Sequence, residues 1–417
     1  MNLEDIKIKY PGFYYYQCNT YASIEINFKF NYESTKENYV KSMILCKYLS
    51  ETNAKYKTLK KLNDKCRDLY SANYFIDFTN TANKHFIEFT FNMYDYKIIG
   101  ENYFKDAINF FHTIMFKPNF KDNHLDTFIF EKIKQEIFDD EKEANCEPRI
   151  MQYRYFLKYA FPQSDKVLNK YEDINELTEI LSKITEKDII DFYNEIMNNF
   201  VRGYVFGNLN DNEIDYIAQK FKFETSNFDS NYLIHEKISS GEKTIKSKDT
   251  TQSYLYVVYD ISNYSIKERY IYQAIVGILN SSLSGLIYNV LRDELSLVYS
   301  ANSTFYGLRG FMYIEANIDK KNKDKCLEGI EEIFKRLQDK EIIGKLLKFY
   351  QDKMNQNYYT KQEELKYYLN ELNNFVYEIS DSEEKNLSLI NGLTTEDIIK
   401  YVKRLEKKFI FFYQGDK

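Results

Sequence analysis

The sequence predicts an α+β fold written twice: two tandem homologous domains, each a mainly antiparallel sheet with helices packed on one side. Three observations lead there. Tyr70-Ser71-Ala72-Asn73 recurs as Tyr299-Ser300-Ala301-Asn302, preceded by Arg67-Asp68 in the first half and Arg292-Asp293 in the second. Later, Thr185-Glu186-Lys187-Asp188-Ile189-Ile190 is answered by Thr394-Thr395-Glu396-Asp397-Ile398-Ile399, and both lead into an apolar run that ends in glycine, Gly207 and Gly415. Strand-period and helix-period runs follow one another in the same order in both halves. Echoes in a shared order, far longer than any solenoid period, indicate duplication of a domain.

Taken in order, Ile24, Ile26, Phe28, Phe30 and Tyr32 alternate with Glu25, Asn27, Lys29 and Asn31, the period-two pattern of a strand with one face buried and one face wet. Tyr39, Val40, Met43, Ile44, Tyr48 and Leu49 recur at helical spacing, and a second helix carries Leu62, Cys66 and Leu69. Strand runs follow at 74–78 and 85–93, then a helix through Tyr103, Ala107, Ile108, Phe111 and Met115. The second half repeats this with a strand at 254–261, helices at 274–279 and 286–291, a strand through Met312, Ile314, Ala316 and Ile318, and a helix with Leu327, Ile330, Phe334 and Leu337. Alternating strands on short connections argue for antiparallel pairing.

Between the halves, 223–253 is rich in Ser, Lys, Glu, Asp and Thr and reads as an exposed linker. The expected domains are 1–222 and 254–417. The first half holds about 20 more residues between its two echoes than the second, a surplus expected in the charged helical tract 130–159. A length of 417 suits two domains of roughly 200 residues each.

The net charge of −6, with Lys and Arg spread along the chain, offers no basic stripe for a phosphate backbone, so nucleic acid is not an expected partner. No run approaches the length of a membrane span and the charged start has no apolar core of a leader, so a cytoplasmic protein without membrane contact is expected. Cys18, Cys46, Cys66, Cys146 and Cys326 show no C-x-x-C spacing and are expected to be reduced, in packing roles.

Histidine is scarce: His85, His112, His124 and His235, no two of them four apart, so no helix can present a two-histidine metal face. The one H-x-x-E, His85 to Glu88, falls in a strand run where the two side chains point to opposite faces. Glu131, Glu136 and Glu141 with Lys132 and Lys134 fit a solvated helix face with i,i+4 pairing. No phosphate-binding loop or nucleophile elbow occurs, and the residues alone offer no competent catalytic centre.

The run 281–299, ending Leu291-Arg292-Asp293-Glu294-Leu295-Ser296-Leu297-Val298-Tyr299, resembles the second-domain signature of the M16 (insulinase, pitrilysin, mitochondrial processing peptidase) family. That signature has a Ser-x-Leu-Phe stretch and then Arg-Glu-Lys-x-Gly-Leu-Ala-Tyr, with arginine and tyrosine seven apart as here. The resemblance covers nearly the whole chain and implies the M16 peptidase-like (LuxS/MPP-like) fold, tandem domains that enclose a chamber when two subunits or halves meet.

Active members carry H-x-x-E-H on the first long helix, where two histidines bind zinc and the glutamate acts as general base. Counting back from the loop at Thr52-Asn53-Ala54 puts that motif at Ile44-Leu45-Cys46-Lys47-Tyr48. Ile44, Lys47 and Tyr48 are degenerate positions that cannot hold the ion, so the resemblance implies a non-catalytic subunit with no catalytic residues, metal or other cofactor.

Within the family the chain is similar to the Firmicutes subunit associated with elongation-factor-P modification, whose Glu-Ser-Gly-Thr loop and Leu-Tyr-Gly-Ala stretch are echoed by Glu51-Thr52-Asn53-Ala54 and Leu69-Tyr70-Ser71-Ala72. Asn53, Ser71 and Ser296 replace glycines of the pattern. The resemblance implies a zinc-bearing M16 peptidase subunit as partner and a peptide as substrate, with Arg292 and Tyr299 donating hydrogen bonds to the peptide. The alternatives are a peptide-binding interaction protein without a peptidase partner, a partner subunit in bacteriocin or peptide maturation, and an active metallopeptidase with unorthodox ligands.

Overall fold

The computed structural model describes residues 2–164, 171, 173–248, 250–261, 264, 265, 268–280 and 285–416. Ser281-Ser282-Leu283-Ser284, which opens the second-domain resemblance, lies outside the described residues. The chain divides into two units, each assembled from three segments: 1–143, 170–232 and 364–381 in the first, 144–169, 233–363 and 382–417 in the second. Each unit thus contains one segment from the opposite half of the sequence.

The first unit is built on a six-stranded sheet of β1 (Lys7–Tyr10), β2 (Phe13–Gln17), β3 (Ser23–Tyr32), β4 (Asn73–Thr81), β5 (Lys84–Tyr94) and β6 (Phe200–Gly207). Its spatial order is β1-β2-β6-β3-β5-β4. Every pair is antiparallel except β2 with β6. Ile24, Ile26, Phe28 and Phe30 of β3, with Ile87, Phe89, Phe91 and Met93 of β5, are buried in one core with side chains of helices Lys36–Glu51, Phe104–Phe116 and Glu186–Met197. Each such side chain contributes roughly 1.5–3 kcal/mol on leaving water. At Gly203, opposite Phe28, a Cβ would stand 2.2 Å from the Phe28 ring, so only glycine lets the ring lie across β6.

The opposite face of β3 is not wet. Glu25, Asn27 and Lys29 are 9%, 2% and 7% exposed. Glu25 accepts from the Tyr204 hydroxyl at 2.7 Å, and helix Leu365–Val376 with Tyr377 supplies partners to Asn27 and Lys29. The Tyr377 hydroxyl donates to Asn27 Oδ1 at 2.7 Å, Lys29 Nζ donates to Asn373 Oδ1 at 3.0 Å, and Arg202 donates to the Val376 carbonyl at 2.7 Å. Lys29 Nζ also stands 4.3 Å from the Tyr377 ring centroid, a cation–π contact. Alternation reports a polar face, and a helix that docks through hydrogen bonds satisfies such a face as well as water does.

The second unit repeats the plan with β7 (Gly241–Lys246), β8 (Ser253–Asp260), β9 (Val298–Tyr306), β10 (Phe311–Ile318) and β11 (Glu406–Gln414), in the order β7-β11-β8-β10-β9. The polar stretch 223–253 therefore contributes a strand, β7, which pairs parallel with β11 as β2 pairs with β6. One face packs Leu255, Val257, Met312, Ile314 and Ala316 with Ile275, Ile278 and Ile330 of the helices. The other face is aromatic: Tyr256, Phe311, Tyr313, Phe409 and Phe411 are covered by helix Pro148–Ala160. Phe156 stacks on Tyr256 at 4.1 Å between centroids, and Phe161 lies 4.3 Å from Phe311.

The duplication extends to detail. Thr185 and Thr394 both begin capping boxes: each hydroxyl accepts from the backbone N–H three residues on, and Asp188 and Asp397 accept from the threonine N–H at 2.8 and 2.9 Å. Helices Thr127–Ala144, Pro148–Ala160 and Ile174–Lys183 correspond in order to Lys340–Lys361, Leu365–Val376 and Glu383–Asn391. The surplus residues of the first half hence lie in connections such as 117–126, not in the tract 130–159. Within that tract Lys132 and Glu136 pair at 3.1 Å as expected, but Glu141 is buried and accepts from the Tyr171 hydroxyl at 2.5 Å.

The Tyr-Ser-Ala-Asn echo is offset by four residues in space. Ser71 and Ser296 are the equivalent turn residues, with φ of 61° and 51°, each followed by a buried residue, Ala72 or Leu297. Arg67 then matches Arg292, and the partner of Tyr299 in the first copy is Tyr74, seven residues after Arg67. Both serines hold the left-handed conformation natural to glycine. Asn53 adapts otherwise: its Oδ1 accepts from the N–H groups of Lys55 and Tyr56 at 2.9 and 2.7 Å.

Candidate functional site

Helix Lys36–Glu51 starts at Thr35, whose hydroxyl accepts from the Asn38 N–H at 3.1 Å, and presents Tyr39, Val40, Ile44, Leu45, Tyr48 and Leu49 to the core. Ile44 is fully buried among these apolar groups. Tyr48 is buried with its hydroxyl shared between two backbone groups: it donates to the Asn119 carbonyl and accepts from the Asp126 N–H, both at 2.8 Å. Burial pushes its phenol up to about 12, so the oxygen stays protonated and cannot serve as an anionic ligand. Lys47 is half-exposed, and its ammonium lies 3.2 Å from Asp140 and 3.7 Å from Glu136 on helix Thr127–Ala144.

The three degenerate positions therefore offer a hydrocarbon, a cation and a committed hydroxyl. Zinc requires imidazole, thiolate or carboxylate donors, and the Lys47 charge opposes it. No group of three or more His, Cys, Asp or Glu residues with metal-binding geometry occurs among the described residues. His85 is buried on the helix-packed side of β5, with Nε2 3.0 Å from Ser34 Oγ. Glu88 on the other face accepts from Asn27 Nδ2 at 2.6 Å, as the strand alternation requires.

In the second unit the π-helix Tyr288–Glu294, the turn at Ser296 and the start of β9 bring Arg292 and Tyr299 together. The Arg292 guanidinium donates through one terminal nitrogen to the Tyr299 carbonyl at 2.8 Å and lies 5.5 Å from the Tyr288 ring centroid. The Tyr299 hydroxyl donates to Asp319 Oδ1 at 2.9 Å, which raises its phenol above the usual range, and the ring is 52% exposed. Tyr299 falls at a bulge, between the pairings of Val298 with Ile318 and of Ser300 with Asn317. Widened helix turns and bulges both recur where a side chain must be aimed.

The first copy is an internal control. Tyr74 is half-buried, stacks edge-on against Phe110 and donates to the Ser50 carbonyl at 2.8 Å, a packing role. Arg67 pairs locally with Asp64. Asp319 carried no signal in the sequence, because it belongs to no echo or motif, and Tyr288, though inside the run 281–299, matches no specified position of the signature; only the strand register brings Asp319 beside Tyr299.

Residues 183–351 match the family described as the peptidase M16 inactive domain. A "probable inactive metalloprotease" of Bacillus subtilis strain 168, YmfF, is 21% identical over 447 aligned positions, covering 99% of this chain and 98% of that protein. A conserved protein from Enterococcus faecalis V583 superposes with a TM-score of 0.83 at 20% identity, covering 97% of each chain. A peptidase M16 inactive domain from Pseudomonas fluorescens superposes with a TM-score of 0.75 at 12% identity, covering 99% of this chain and 98% of that one. On these likenesses the chain is a non-catalytic peptidase homologue, similar to inactive M16 proteins.

Proposed function

We propose that the protein is the non-catalytic subunit of a heteromeric M16-type zinc peptidase, binding peptide and completing the chamber of a zinc-bearing partner. The observation that carries this reading is the contrast between the two copies of one motif. Where the first copy packs Tyr74 away, the second leaves Tyr299 exposed beside a guanidinium with further free N–H donors. Exposed, preorganised donors next to a strand suit an extended peptide, and such donors stabilise charge on a carbonyl under attack. The subfamily resemblance makes the partner a zinc-bearing sister subunit of the kind found beside the elongation-factor-P-associated proteins. No described helix is long and apolar enough to cross a membrane; free thiols at Cys18, Cys46 and Cys326 suit a reducing compartment, and the reading places the protein in the cytoplasm.

The test is co-expression with a zinc-bearing sister from the same genome and a peptide-cleavage assay on the purified pair. Arg292→Ala should abolish cleavage while the pair still co-elutes. Unchanged turnover would remove the assigned role.

A further inference from the structure

Resting on the reading that Arg292 and Tyr299 meet a peptide, we propose that Asp319 is a positioning residue that makes Tyr299 a hydrogen-bond acceptor in place of the donor the family resemblance implies, so that the pair selects a peptide unit with a free N–H. An ionised carboxylate only accepts hydrogen bonds, and the Tyr299 hydroxyl, 2.9 Å from Asp319 Oδ1, must therefore commit its one proton to it. The lone pairs left on the phenol oxygen can only accept. Arg292 can only donate. One residue offers donors and the other an acceptor, which is the complement of a backbone amide's carbonyl and N–H. A second pair of donors, by contrast, would be indifferent to the amide nitrogen.

The duplicate argues that this use of Asp319 is not a packing habit of the fold. Asp95 occupies the equivalent place, directly after the strand β5, and there the carboxylate caps the following helical turn, accepting from the Lys97 N–H at 3.0 Å and from Asn208 Nδ2 at 2.7 Å. Asp319 likewise precedes a short helical turn, Lys320–Asn322, but makes no capping bond with its side chain. It gives up the local bond that aspartate favours at such a position and takes the hydroxyl of an exposed tyrosine instead. Tyr74, the counterpart of Tyr299, has a backbone carbonyl as its partner and no carboxylate.

The consequence is discrimination against proline and other N-substituted residues at one peptide position, where the phenol oxygen would lose its donor. For a single partly exposed hydrogen bond the expected penalty is about tenfold in affinity. The probe is a fluorescein-labelled unstructured decapeptide, together with a series of the same peptide N-methylated at one backbone nitrogen at a time, titrated by fluorescence anisotropy against the full chain. In the wild type, methylation at one position should weaken binding about tenfold. In Asp319→Ala that ratio should fall to about one while the unmethylated peptide still binds, and Asp319→Asn, whose amide oxygen can accept the phenolic proton, should restore it. A methylation ratio unchanged in Asp319→Ala overturns the positioning role. Absence of any binding by the wild type overturns the peptide-site reading itself, and binding unaffected by Arg292→Ala does the same.

Discussion

Replacing Tyr377 by phenylalanine removes one oxygen from the polar layer beneath helix Leu365–Val376 and leaves its ring in place. The hydroxyl donates to Asn27 Oδ1 at 2.7 Å and lies 3.1 Å from the Arg202 carbonyl, and Asn27 is 2% exposed. The Asn27 oxygen would lose that donor where water cannot replace it, which costs about 1–3 kcal/mol. The Lys29 contact with the ring survives, so the loss isolates the hydroxyl. A midpoint of about 2 kcal/mol is roughly a 30-fold rise in the opening equilibrium of the segment. Hydrogen exchange followed by mass spectrometry over 365–381 reads that equilibrium directly. Because the oxygen and Asn27 share one bond, adding Asn27→Ala to Tyr377→Phe should cost less than the sum of the single changes, with about 0.5–3 kcal/mol of coupling. Exchange in this segment at the wild-type rate would refute the claim that hydrogen bonding to the polar face of β3 holds the helix.

Phe156→Ala, which empties the stack on Tyr256 in the second unit, should cost about 3–5 kcal/mol, read as lost exchange protection in 148–160. Lys47→Glu sets a third carboxylate beside Glu136 and Asp140; at these partly exposed positions the loss should be about 1 kcal/mol or less in urea melts at low salt, and smaller in 1 M NaCl. Burial raises the Glu25 carboxyl above its ordinary 4.5, so the folded state binds more protons than the unfolded one from that pH up to the raised folded value, and stability falls across this window as pH rises. Glu25→Gln, which keeps an oxygen to accept from the Tyr204 hydroxyl, should accordingly stabilise the protein at neutral pH, with the gain fading at acid pH where Glu25 is protonated in both states.

Local signals in the sequence were those with a fixed spacing. The capping boxes at Thr185 and Thr394, the alternation of β3, β5 and β10, and the absence of ligands on the first long helix could all be read because each depends on neighbours a few residues away. What stayed hidden depends on distant partners. Strands β1, β2 and β7 give weak signals: β1 alternates over only four residues, Lys-Ile-Lys-Tyr, β2 is Phe-Tyr-Tyr-Tyr-Gln and β7 is Gly-Glu-Lys-Thr-Ile-Lys. The helices Pro148–Ala160 and Leu365–Val376 each belong to the unit of the opposite half, and no periodicity reports which sheet a helical face will meet. The Tyr-Ser-Ala-Asn echo was a true sign of duplication in the wrong register, because a left-handed turn at Ser71 and Ser296, not residue identity, sets where each strand begins. That Arg292 and Tyr299 lie side by side was legible from the family motif with its seven-residue spacing, whereas the contact with Asp319, one step beyond β10, was not.

Affinity capture of the tagged protein from its native cell, with mass spectrometry of what co-purifies at near-equal amount, tests whether this inactive chain works beside a zinc-bearing sister. The expected result is a partner of similar size that carries H-x-x-E-H. Recovery of this chain alone, or of unrelated partners only, would contradict it.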